Sequence, residues 1–146
     1  MSMLNIFHVS GSAVSAQSQR LNVVASNLAN ADTVADMNGN AYKARQLTFQ
    51  TQLMGPQTVG AMGEPVSTGA GVSVSNIFES QAPARKTYEP HHPKADEQGY
   101  VTYSNVNPVE EMVNMISASR SYQNNIEVMN TAKTLLLKTI QLGNGA

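Results

Sequence analysis

Apolar side chains recur at alternating three- and four-residue steps near the start of the chain. Leu4, Phe7, Gly11, Val14, Ser18, Leu21, Ala25 and Leu28 fall on one seam of a helix. The far end repeats the arrangement. Asn107 is placed to cap a helix, Pro108 occupies the first turn where no amide bond is lost, and Glu110 stands at the third helical position. Met112, Met115, Ser119, Tyr122, Ile126, Met129, Lys133, Leu136 and Ile140 then form a second heptad seam, which Gly143 terminates. A helix of this second kind extends roughly 50 Å and the first roughly 40 Å, at 1.5 Å of rise per residue. Such lengths exceed the globular mean of about 12 residues and require a partner.

The expected fold is therefore mainly α. Long N- and C-terminal helices pair as an antiparallel coiled coil, residues 1–31 with 108–146, and a small β-rich, irregular middle segment spans 32–107. Within that segment Tyr42–Phe49, Gly71–Phe78 and Tyr100–Tyr103 carry the β-branched and aromatic residues of short strands, while Met54-Gly55-Pro56 and the run Gly60–Gly71 read as turns. The methionines of the second seam are adaptable packing groups.

Composition sharpens this picture. Of 146 residues only 13% are charged and 5% aromatic, against 41% hydrophobic, and Arg20 is the one charged side chain before Asp32. A surface meant to face water alone carries more charge. These helices look built to be covered by other protein. The expected interface comprises Leu4, Phe7, Val14, Leu21, Ala25, Leu28 and Asn30 on the first helix. Met112, Met115, Tyr122, Ile126, Met129, Leu136 and Ile140 extend it on the second. Net charge of −1 provides no field for nucleic acid, and with no cysteine neither a disulfide nor a thiolate site can form. The first fifteen residues lack the basic stretch of a cleavable signal, and no apolar run reaches membrane-spanning length.

Chemistry has little support. Glu89, His91, His92, Asp96 and Glu97 cluster in sequence, but adjacent histidines diverge in extended chain, Pro90 and Pro93 make the segment a loop, and no His-x-x-x-His spacing occurs. No Gly-x-Ser-x-Gly elbow is present, and Gly69-Ala70-Gly71 lacks the lysine of a phosphate loop. No catalytic residue, metal site or cofactor is expected.

The string from Ser18 to Thr33, with Asn27-Leu28-Ala29-Asn30 and Thr33 at its centre, resembles the N-terminal signature of the flagellar rod, hook and hook-associated proteins. The string from Glu111 to Asn125, with Asn5-Ile6-Phe7, His92-Pro93-Lys94-Ala95-Asp96 and Gly99-Tyr100-Val101, is similar to the proximal-rod members of that axial family. Val34 to Ala41 intervene before Tyr42 where many axial relatives place a Pro-Gly-Tyr turn, which favours the proximal-rod type. The resemblance implies a structural subunit of the basal-body rod. It would be exported through the flagellar type III apparatus without cleavage and assembled in the periplasm, with terminal helices lining the inner tube. Its implied partners are copies of itself, other proximal- and distal-rod proteins and the export-gate adaptor at the rod base. A helical-hairpin adaptor or secretion chaperone would need a charged outer helix face, and a periplasmic hydrolase would need a convergent acid/base pair.

Overall fold

The structure, a computed structural model, describes residues 3–36, 39–53, 58–59, 65–66 and 69–143. Among these residues the chain is mainly helical, with α1 (Met3–Ala29) and α2 (Pro108–Gly143) enclosing six strands in sequence. The strands are β1 (Arg45–Leu53), β2 (Thr58–Val59), β3 (Pro65–Val66), β4 (Ala70–Glu79), β5 (Lys86–Tyr88) and β6 (Tyr100–Thr102). They form three two-stranded sheets, β1 with β4, β2 with β3 and β5 with β6. In the last two the strands run antiparallel, Thr58 opposite Val66 and Thr87 opposite Val101.

The helix ends follow from local chemistry. Asn107 Oδ1 accepts the Val109 N–H at 3.1 Å, and the Asn107 carbonyl accepts the Glu111 N–H at 3.0 Å, so Pro108 opens α2 without an orphaned amide. At the end of α1 the Asn30 side-chain amide donates to the Ser26 carbonyl at 2.8 Å. The Thr33 hydroxyl donates to the Asn30 carbonyl at 2.8 Å, so carbonyls that a helix terminus leaves unpaired find partners just beyond it.

The expected strands correspond to β1, β4 and β6, although β1 starts at Arg45 and continues to Leu53. β5 is three residues long between Pro83 and Pro90, too short to carry a legible alternation. Of the run Gly60–Gly71 read as turns, Pro65–Val66 pairs as a strand with Thr58–Val59 and residues 70–71 open β4, while Met54-Gly55-Pro56 and positions 60–64 and 67–68 lie outside the described residues.

The described residues divide into two compact units. The first draws on Met1–Gln19, Phe49–Ser75 and Ala118–Ala146. Its buried positions are small: Ser10, Ala16, Ala118 and Ala132. The Ser12 hydroxyl donates to the Val9 carbonyl at 2.7 Å and accepts the Val72 N–H at 3.0 Å, tying the start of β4 to α1. The second unit, Arg20–Thr48 with Asn76–Ser117, holds an apolar cluster of Ala31, Ala44 and Val106 with Tyr42 packed against it. Val34 bridges to Tyr103, and the Ser104 hydroxyl, with its residue 0% exposed, donates to the Ala31 carbonyl at 2.6 Å.

The covered face of each helix departs from the expected seam. On α1 the fully buried positions are Ser10, Ala16, Val24 and Asn27, none of them on the predicted line, whose Phe7, Gly11, Val14, Leu21 and Leu28 are half-buried. Ser18 and Ala25 of the predicted line are exposed. On α2 the covered series is Glu111, Met115, Ala118, Tyr122, Asn125, Met129, Ala132 and Leu136. It shares Met115, Tyr122, Met129 and Leu136 with the predicted seam, whereas Met112, Ile126, Lys133 and Ile140 are exposed. The physical reason is size. Alanine, serine and asparagine admit close backbone approach, and close packing rewards contact density more than the bulk of any one side chain.

Candidate assembly surface

The Asn27-Leu28-Ala29-Asn30 phrase ends α1 with a polar clamp in the second unit. Asn27 is 1% exposed and uses both ends of its amide. Nδ2 donates to the Arg45 carbonyl at 2.7 Å, while Oδ1 accepts the Arg45 N–H at 2.9 Å and the Tyr42 hydroxyl at 3.1 Å. One side chain thereby fastens the beginning of β1 to a helix, replacing the ladder partner that a strand end lacks. Asn105 does the same for the other side of the strand's entry: its Oδ1 accepts the Ala44 N–H at 2.6 Å and its Nδ2 donates to the Ala82 carbonyl at 2.9 Å. Burial pushes the Tyr42 hydroxyl above its ordinary pKa, nearby Arg45 pulls it down, and Glu111 and Glu79 add to the rise.

α2 enters the same clamp. Arg20 Nη2 donates to Asn114 Oδ1 at 3.0 Å, and Asn27 lies beside the Glu111 carboxyl. Burial raises the Glu111 pKa above the usual carboxylate range against the lowering influence of Asn27 and Arg20, with Glu110 reinforcing the rise.

The opposite face of α2 is open. Val109, Met112, Val113, Ile116, Val128 and Leu135 are all exposed, Leu135 to 50%. In the first unit a groove of about 460 Å³ lies among Ile6, Asn124, Glu127, Val128, Thr131, Ala132 and Leu135. Such a row of large apolar groups on a chain with few charges is the signature of a surface that another protein covers.

The predicted interface residues distribute unevenly over this arrangement. Phe7, Val14, Leu21, Leu28, Asn30, Met115, Tyr122, Met129 and Leu136 are half-buried within the chain, and Ala25, Met112, Ile126 and Ile140 are exposed. Leu4 belongs to the first turn of α1, and its side chain lies outside the described residues. Sequence reasoning assigned no role to Asn27, Asn105, Ser104 or Glu111. The signal available was an asparagine or serine within an otherwise apolar periodic stretch.

Three of the five residues weighed as a chemical cluster have structural duties. Tyr103 donates its hydroxyl to Glu89 at 3.2 Å, His92 Nδ1 accepts the Lys94 N–H at 3.1 Å, and Asp96 Oδ1 accepts the N–H groups of Gln98 and Tyr100 at 3.0 and 2.8 Å. His91 and Glu97 are exposed. Among the described residues no group of three or more His, Cys, Asp or Glu could hold a metal, and no helix is long and apolar enough to cross a membrane.

Two long helices with small-residue inner faces, a polar clamp and an uncovered apolar flank define a structural subunit of an assembly. The chain matches the family Flagella basal body rod protein over residues 7–34, and Flagellar basal body rod FlgEFG protein C-terminal over residues 97–142. It is 52% identical over 143 residues to the flagellar basal-body rod protein FlgC of Escherichia coli O6:H1, covering 98% of this chain and 99% of that protein. The FlgC of Salmonella typhimurium is likewise 52% identical with the same coverage, and that of Buchnera aphidicola from Acyrthosiphon pisum is 45% identical over 144 residues. The chain belongs to the FlgC family of flagellar basal-body rod proteins, and as such is a structural subunit of the rod in the flagellar basal body.

Proposed function

We propose that this chain is a non-catalytic building unit of the proximal part of the rod, in which α1 and α2 pair as an antiparallel coiled coil and residues 1–31 and 108–146 form the assembly domain. Direction in the second unit supports the antiparallel pairing: Arg20 meets Asn114, and Asn27, further along α1, meets Glu111, earlier in α2. The middle segment, 32–107, lies outside the helical layer. Copies of the chain, other rod proteins and the adaptor at the rod base cover the helix faces, and the subunit reaches them through the flagellar type III export apparatus. Heterologous contacts between like subunits generate a tube, and the covered faces complete a core that one copy lacks. Catalysis has no place in this reading, in which Glu89, His92 and Asp96 serve loop geometry.

The observation that carries the proposal is the exposed apolar row of α2, from Val109 through Ile116 to Leu135. A cell whose own copy of the gene is replaced by an I116D or L135D variant tests it. The expected outcome is a secreted, folded subunit with no rod, no hook and no motility, since a packed interface does not tolerate an unpaired charge. Normal swimming in both strains would overturn the proposal.

A further inference from the structure

Glu111 stands out as a carboxyl buried within the clamp. It is 8% exposed, and among the described residues its Oε2 is shielded from solvent with no hydrogen-bond partner. An ionised carboxylate offers about four acceptor sites and is unfavourable in a buried place unless donors fill them, whereas a neutral carboxyl needs fewer partners. The surrounding groups do not supply what the anion requires. Arg20, the cation facing it from α1, directs Nη2 to Asn114 Oδ1 at 3.0 Å. Asn27 has one amide hydrogen committed to the Arg45 carbonyl at 2.7 Å. Tyr42, ahead of β1, gives its hydroxyl to Asn27, and the charges of Arg45 and Glu79 act beyond it. Glu110, on the same helix turn, is a like charge. The N-terminal end of α2 favours an anion, as do Arg20 and Asn27, but burial outweighs them and the net direction is toward the protonated form.

We infer that Glu111 is a proton-linked latch between α1 and α2: the clamp closes over its neutral carboxyl, and ionising that carboxyl loosens the clamp. The inference stands on the second unit alone and does not depend on which rod neighbours cover the helices. The sign follows from linkage. With its pKa raised in the folded clamp, Glu111 binds its proton more tightly there than in the unfolded chain. Its stabilisation is full below the ordinary glutamate range and fades as pH rises through the elevated folded value. One linked proton changes the opening equilibrium by up to tenfold per pH unit inside that window. Acidification therefore orders the contact between the first turn of α2, the end of α1 and the entry to β1.

Amide exchange on the full chain between pH 4.5 and 8, corrected for intrinsic rates, tests the latch at the Arg45 and Ala44 N–H groups, which Asn27 and Asn105 hold. Protection is expected to be greatest at the acid end and to fall by up to tenfold per pH unit above it. E111Q, which keeps the shape and removes the charge, is expected to hold the acid-end protection to pH 8. The carboxyl carbon of Glu111, followed by NMR in the unsubstituted chain, is expected to titrate above the ordinary glutamate range. Titration of Glu111 within the ordinary glutamate range overturns the latch, as does protection that is pH-independent or absent throughout. An E111Q slope equal to that of the unsubstituted chain does so too. If E111Q fails to fold, the carboxyl titration decides the question by itself.

Discussion

Replacing Asn27 by alanine removes the side chain on which the clamp converges. Three hydrogen bonds go with it: the donation to the Arg45 carbonyl at 2.7 Å, and the acceptance of the Arg45 N–H at 2.9 Å and the Tyr42 hydroxyl at 3.1 Å. A protein hydrogen bond contributes about 1 kcal/mol net, so their loss amounts to about 3 kcal/mol. Because Asn27 is almost wholly buried, water does not fully replace what is lost, and the cost does not fall much below that figure. Such a change is a large share of the 5–15 kcal/mol typical of a domain. With an m-value of about 2 kcal/mol per molar urea, the unfolding midpoint drops by about 1.5 M. The same energy lowers exchange protection at the Arg45 amide roughly a hundredfold. Asn22→Ala is the control, since Asn22 is an exposed asparagine on the same helix. A double-mutant cycle with Tyr42→Phe isolates the Tyr42 bond, with a coupling of about 1 kcal/mol expected. Equal midpoints for the N27A and N22A chains would refute the assignment of Asn27 as the organising residue.

Other substitutions probe separate features. S104A leaves the Ala31 carbonyl without its 2.6 Å donor at a fully buried site, and about 2 kcal/mol of stability is expected to be lost in urea titration. G99A places a side chain where φ is +81° and where its Cβ meets Tyr88 Cε2 at 2.9 Å and Pro90 Cβ at 3.2 Å. A loss of about 1–3 kcal/mol is expected, together with disturbance of the edge-to-face Tyr88–Tyr100 contact visible in ring-proton shifts. A118L forces three extra carbons into a position with no exposure, so overpacking of about 1–3 kcal/mol lowers the thermal midpoint.

Much of the architecture was written in local signals. Asn107 and Pro108 marked the start of α2 because capping is a short-range interaction that needs no tertiary context, and Gly143 marked its end. The flagellar rod signature was legible in the strings at both ends, but what those residues do was not. Asn27 reads as a neutral small polar residue until Tyr42 and Arg45 are brought to it from 15 and 18 positions away. The predicted seams hold half-buried groups such as Leu21 and Met115, while the fully buried positions fall on neighbours off the line. Ala118 and Ala132 are buried while Met112 and Ile140 are exposed, since small side chains admit the closest packing. β5 escaped notice because a three-residue strand is defined by its partner rather than by its own pattern.

The alanine-rich inner faces have a mechanical consequence. Small side chains present shallow ridges, so two helices meeting through them could glide along each other's axes with little loss of contact. What forbids the glide in the second unit is polar: Arg20 on Asn114 and Asn27 on Glu111 fit only one axial setting, as a single buried polar residue does in a coiled coil. A shaft that must carry twist without creeping is served by polar pins that hold their partners at one axial setting.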